Sequence, residues 1–127
     1  MVLLYTLRSE DSAVKETTTV KKNYEFRRLY QKGASAVGRS MVVYARPNRY
    51  GHNRLGVTVS AKLGKATVRN RVRRRLREVF RLNDECVKQG YDFILVARTR
   101  SVSSSFQELM RTYRKLLREL ALWEEEA

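Results

Sequence analysis

The side chains best equipped for chemistry in this chain are the arginines from Arg69 to Arg77, six in nine positions with no acid among them. A guanidinium is neither a base nor a nucleophile near neutral pH. It is a permanent cation whose planar donor fork grips phosphate oxygens two at a time and stacks on aromatic rings. Set this densely, the arginines form a surface for a polyanion. Val68, Val72, Leu76, Val79 and Phe80 recur through the same stretch at helical spacing. On a wheel of about 100° per residue the apolar positions fill an arc of roughly 120°. Asn70, Arg73, Arg74, Arg77 and Arg81 then lie opposite, with Arg69, Arg71 and Arg75 at its flanks. The spacing predicts a helix from about Arg69 to Arg81, docked on a core by its apolar arc. The i,i+4 pairs Arg69/Arg73, Arg71/Arg75 and Arg73/Arg77 each cost a few tenths of a kcal/mol. An ordinary solvated face would alternate its charges and gain from them. A membrane-surface helix would need larger apolar residues than these.

Other chemistry is thinly supplied. Cys86 is the sole cysteine, which excludes an internal disulfide and fits a reducing cytoplasm. His52 is the sole histidine; the two cannot make a zinc site and read as a partly buried thiol and a loop imidazole. The acids are scattered beside basic residues, without the paired carboxylates of a two-metal nuclease or a cluster that would activate a nucleophile. Composition agrees with a polyanion partner. Lys and Arg number 27 against 13 acids, for a net charge of +14, and 19 of the 27 are Arg. A compact chain of that charge repels itself unless something neutralises it. Hydrophobic residues make up 43%, enough for one folded domain. No stretch approaches the roughly 20 apolar residues of a membrane span. MVLLYTLRSED at the start lacks the leading positive residue and long apolar run of a signal peptide.

The elements that must position the basic helix follow from the flanks. Residues 1–19 are weakly patterned and are expected to form a flexible extension. Residues 21–30 predict a short helix with Asn23 as N-cap, Phe26, Leu29 and Tyr30 on one face, and Gly33 as its stop. SMVVYAR (40–46) predicts a strand, and Pro47, Asn48, Gly51 and Asn53 a turn. Leu55, Val57 and Val59 alternate with Gly56, Thr58 and Ser60, as in a strand with one wet face. YDFILVA (91–97) is apolar on both faces and predicts a central strand. Ser105 and Glu108 form a capping box before a wide stripe of Phe106, Leu109, Met110, Tyr113, Leu116, Leu117 and Leu120. Residues 123–127 are expected to be a frayed acidic tail. The class is therefore α+β, helix-strands-helix-strand-helix, with one RNA- or DNA-binding domain over 20–122. A helix-turn-helix is disfavoured because a strand precedes the basic helix. Charge alone does not choose between the two nucleic acids.

The surrounding residues do. Gly64-Lys65-Ala66-Thr67-Val68-Arg69-Asn70-Arg71-Val72-Arg73-Arg74, followed by Arg77 and Phe80, closely resembles the RNR motif of the protein subunit of bacterial ribonuclease P. KKNYEFRRLYQKG (21–33) is similar to that family's first helix. RLGVTVSAK (54–62) and YDFILVAR (91–98) resemble the strands before and after the motif. The resemblance implies three helices on a four-stranded sheet with a left-handed β-α-β crossover, against the general right-handed rule.

It also implies a ribonucleoprotein endonuclease that removes the 5′ leader from precursor tRNA. Its partners would be ribonuclease P RNA and precursor tRNA, without DNA or membrane, in the cytoplasm. The RNA subunit would hold the required Mg2+, and the protein would bind no cofactor alone and carry no catalytic residue. By the motif match, Lys62, Lys65, Arg69, Asn70, Arg71, Arg73, Arg74 and Arg77 would bind the RNA subunit. Lys22, Asn23, Phe26, Tyr30 and Tyr44 would bind the leader, by stacking of unpaired bases above a basic groove. The competing expectation for Phe26 and Tyr30 is that they are core. Ala61 stands where the family often has a basic residue, which removes one phosphate contact, and the first 18 or so residues exceed the usual start. A structural rRNA-binding protein of the ribosome is the alternative, on the same basic surface. A protein-only nuclease is a third possibility.

Overall fold

The computed structural model describes residues 19, 20 and 22–124. The extension expected over 1–19 lies outside the described residues except for Thr19, and so do residues 125–127 of the tail. The elements are α1 (Asn23–Lys32), β1 (Ala34–Val37), β2 (Met41–Pro47), β3 (Arg54–Thr58), α2 (Ala66–Asn83), β4 (Tyr91–Ala97) and α3 (Phe106–Glu119). Short 3-10 turns lie at Ala61–Leu63, Asp84–Cys86 and Thr99–Val102. The sheet order is β1-β2-β4-β3, with β3 and β4 parallel and the other pairs antiparallel. Adjacent parallel strands cannot be joined by a tight turn, and α2 is the connection. Three helices on four strands, with β4 inside the sheet, agree with the expectation.

Side chains alternate across the strands, so the register sorts them into two faces. Val43, Ala45, Phe93, Leu95 and Leu55 face α2 and α3, where they meet Val72, Leu76, Val79, Phe80, Leu109, Tyr113, Leu116 and Leu117 in one buried cluster. Each large apolar side chain sealed there contributes about 1.5–3 kcal/mol. The opposite face carries three cross-strand rows: Arg46–Asp92–Arg54, Tyr44–Ile94–Gly56 and Val42–Val96–Thr58. Helix α1 lies across the middle row, where Leu29, Ile94 and Val20 form a second, smaller core with Phe26 and Tyr44 packed on it.

Several local details differ from the expectations. Lys22, not Asn23, is the N-cap of α1, because Glu25 Oε1 reaches back to accept from the Lys22 N–H at 3.3 Å. Gly33 does end the helix, but by close approach: a Cβ there would sit 2.6 Å from the Leu29 carbonyl oxygen and 3.0 Å from that of Ala45. Helix α2 starts three residues ahead of Arg69. Strand β3 stops at Thr58, since the Ser60 hydroxyl accepts from the Lys62 N–H at 3.0 Å and turns the chain. Strand β1 was not legible from alternation, because ASAV is too short and small to show any. Thr19 forms a parallel bridge with Leu55, and Trp123 an antiparallel one with Val87. The Glu124 N–H donates to the Cys86 carbonyl at 2.6 Å, so the chain is tied down through the first residues of the expected tail.

Candidate nucleic-acid interface

Helix α2 buries Val72, Leu76, Val79 and Phe80, as their spacing requires, and leaves Val68 half-buried beside Gly64. Gly64 has φ 139°, a conformation that favours glycine, and it turns the chain into the helix. The N-cap Lys65 offers no acceptor to the first-turn N–H groups, and no acid lies in that turn. The helix start therefore presents free donors and partial positive charge beside Lys62 and Lys65, both exposed.

The expected contact residues separate by environment. Asn70, Arg71, Arg74 and Arg77 are exposed, and Arg69 and Arg73 are half-buried. The Arg69 Nε donates to the Gly64 carbonyl at 3.1 Å, and the Arg73 Nη1 to the Asn70 Oδ1 at 2.7 Å. Asn70 thus aims an arginine as well as facing solvent. Arg75 folds away, donating to the Ser104 carbonyl at 2.9 Å. Burial, and then the charge of Arg71, lower its pKa. Arg81 pairs with Glu78 one turn back. Arg69, Arg73, Arg75 and Arg81 are thus held by hydrogen bonds within the protein, whereas Arg71, Arg74 and Arg77 stand exposed on the helix.

The aromatic residues converge beside the Val42–Val96–Thr58 row. The Tyr30 and Tyr44 rings meet edge-on at 4.9 Å, and Phe26 and Tyr30 are 6.5 Å apart. The Tyr30 hydroxyl and Thr58 Oγ1 are hydrogen-bonded at 3.0 Å. Tyr30 is 39% exposed, whereas Phe26 is largely packing: a Cβ at Gly56 would lie 2.7 Å from its ring. The core expectation thus fits Phe26 far better than Tyr30. Lys22 and Asn23 are exposed at the start of α1, with the Lys22 ammonium 5.9 Å from the Tyr24 ring.

On the other flank of α1 is a cluster that sequence spacing did not signal. The half-buried Arg54 guanidinium donates to both carboxylate oxygens of Asp92, at 2.8 and 2.7 Å, and to Glu25 Oε2 at 2.9 Å. These bonds, led by the one to Asp92, raise its pKa beyond any range in which it titrates. Its partners are 38 and 29 residues away, so only the strand register and the seat of α1 reveal them. Among the described residues, no group of three or more His, Cys, Asp or Glu is placed to hold a metal ion, and no helix is long and apolar enough to cross a membrane.

The sequence profile of the ribonuclease P family matches residues 14–121. The ribonuclease P protein component of Alkaliphilus oremlandii is 42% identical over 109 residues, covering 86% of this chain and 96% of that one. That of Thermoanaerobacter sp. is 45% identical over 104 residues, covering 82% and 90%. Among solved structures, the Staphylococcus aureus ribonuclease P protein superposes with a TM-score of 0.75 at 32% identity, over 84% of this chain and 98% of its own. The Thermotoga maritima protein gives 0.73 at 28%, over 80% and 96%. With its arginine helix and its sheet in the arrangement of these relatives, the chain belongs to the ribonuclease P protein family, the protein component of the ribonucleoprotein endonuclease that matures the 5′ end of tRNA.

Proposed function

We propose that the two surfaces divide the work: α2 holds the RNA subunit and the aromatic groove holds the 5′ leader of precursor tRNA. The observation that carries this is their junction. Strand β3 supplies Gly56 and Thr58 to the aromatic groove and leads through one 3-10 turn into α2. One RNA surface continues into the other without an intervening wall of acidic residues. Arg71, Arg74 and Arg77, with Lys62 and Lys65, meet phosphates of the RNA subunit, while Arg69 and Arg73 are aimed by Gly64 and Asn70. Tyr30 and Tyr44 stack leader bases, Phe26 backs them, and Lys22 and Asn23 lie at the mouth. The protein contributes position and charge neutralisation. The Mg2+ that the ribonucleoprotein requires supplies the hydrolytic chemistry within the RNA subunit, and no step is assigned to a side chain of this chain. The assembly works in the cytoplasm.

Cleavage of precursor tRNA by the cognate RNA at low magnesium, with and without the protein, is the test. Stimulation is expected, and its absence would sink the proposal. Tyr30→Ala should weaken precursor binding by about 1–3 kcal/mol per lost stack, while mature tRNA and the RNA subunit bind as before. A structural rRNA binder would show no such selectivity for the leader.

A further inference from the structure

Beneath α1, on the side away from the aromatic groove, lies an open cavity of about 490 Å³. That falls within the range of small-ligand sites, roughly 300–1,000 Å³. Its floor is the Arg46–Asp92–Arg54 row. One wall is α1, through Tyr24 and Arg28 at i,i+4; the other is the β2–β3 loop, through Asn48, Arg49 and Tyr50. Two of the three floor residues are satisfied internally: Arg54 is committed to Asp92 and Glu25, and Asn48 Nδ2 donates to Asp92 Oδ1 at 2.8 Å. The loop wall is set by the Tyr50 N–H donating to Asn48 Oδ1 at 2.9 Å, and by the Arg54 guanidinium 4.2 Å from the Tyr50 ring centre. Arg28, Arg46 and Arg49 have no acidic partner among the described residues. Tyr24 and Tyr50 are 51% and 55% exposed, with the Arg28 and Arg54 guanidinium groups 5.9 and 4.2 Å from their respective ring centres and the remaining ring surface open to solvent.

Four guanidinium groups, of Arg28, Arg46, Arg49 and Arg54, face only two carboxylates, of Glu25 and Asp92, and this positive cavity with two half-exposed rings matches a planar ring attached to phosphate. We propose that this cavity is a second single-stranded RNA subsite, which takes one nucleotide of a strand with its base against Tyr24 or Tyr50 and its phosphates on Arg28, Arg46 and Arg49. It is separate from the aromatic groove, since α1 stands between them, and it does not depend on that groove holding the leader. A strand fits better than a free nucleotide because the cavity is open to solvent and Lys22, its ammonium 5.9 Å from the Tyr24 ring, adds a further cation beside it for a neighbouring phosphate. An acidic peptide would satisfy the arginines but leave both rings unused.

The test uses the full chain and a 12-nucleotide single-stranded RNA carrying 4-thiouridine. Photocrosslinking of the unmodified protein should label Tyr24 or Tyr50. By anisotropy, Tyr24→Ala/Tyr50→Ala should lose roughly 5- to 150-fold in affinity with an unchanged salt slope. Tyr24→Phe/Tyr50→Phe should bind as the parent does, which separates stacking from folding. Arg46→Gln/Arg49→Gln should instead flatten the salt slope by roughly 0.7 per lost contact. Tyr30→Ala, run in parallel, reports on the aromatic groove alone. Crosslinks confined to other surfaces, or alanine variants within twofold of the parent, would overturn the proposal. So would displacement of the RNA by polyglutamate or by uridine monophosphate as readily as by unlabelled strand.

Discussion

On the face of the sheet under α2 and α3, Val43, Phe93 and Leu95 are sealed from solvent, whereas on the face under α1 Val42, Tyr44 and Val96 stay partly open. These are immediate neighbours in sequence, so the difference is one of coverage. A helix with its side chains is about 10–12 Å across, and rows two residues apart on a strand are spaced by about 6.8 Å. One helix therefore covers the middle row and leaves one on each side partly open, charged on one flank and beside the aromatic groove on the other. Two helices close the centre of the opposite face, leaving only its margins, such as Val57 and Tyr91, partly open. Stability concentrates on the closed face and recognition on the crossed one, with the Arg54 cluster as the exception to be tested.

The largest effect expected is from Arg54→Met. It takes the Arg54 guanidinium away from the carboxylates of both Asp92 and Glu25 and should cost about 3–5 kcal/mol in urea unfolding. A loss under about 1 kcal/mol would mean that the crossed face carries little of the stability, making the contrast sharper still. Leu76→Ala, in the closed face, should cost about 2–5 kcal/mol by thermal or urea unfolding, without changing RNA affinity of the folded protein. If affinity falls with it, the two faces are not separable. Arg74→Ala/Arg77→Ala should leave stability nearly unchanged and lower the slope of log affinity against log salt by roughly 0.7–0.9 for each lost phosphate contact. A slope equal to the parent's would remove these arginines from the interface.

The smallest effect concerns the start of α3 on the closed face. Ser105→Ala should cost about 1 kcal/mol through loss of the cap. Its partner Glu108 has a lowered pKa, chiefly because its carboxylate accepts the Ser105 N–H at 2.7 Å. A depressed carboxylate stabilises the fold above its ordinary pKa, and that contribution fades as pH falls through the lowered value. Glu108→Ala should therefore unfold more readily than the parent at neutral pH, with the gap closing in acid. A gap that persists there would assign the effect to helix propensity.

Periodicity carried α2, α3 and β4 into view because each is long enough for its pattern to repeat, and the Ser105–Glu108 box marked one boundary closely. Strand β1 escaped because ASAV pairs only as an edge and has no alternation to read. The N-cap of α1 escaped because Glu25 supplies the acceptor that a lysine cannot, a role visible only once the turn exists. The arginine surface was legible as a surface, but not its internal division. Arg75 is withdrawn by Ser104, on a loop 29 residues away, and no local rule names that partner. The cavity beneath α1 was wholly hidden in the sequence. Its parts come from α1, β2, β3, β4 and one loop, and only the register aligns Arg46, Asp92 and Arg54.

Gly33 has a mechanical consequence. With the Leu29 and Ala45 carbonyl oxygens 2.6 and 3.0 Å from where a Cβ would stand, the C-terminal end of α1 is pressed onto the sheet with no room for a spacer. Near its other end Glu25 is ion-paired to Arg54 on the sheet, so the helix is a beam pinned at both ends. It stands as a fixed partition between the aromatic and the charged groove.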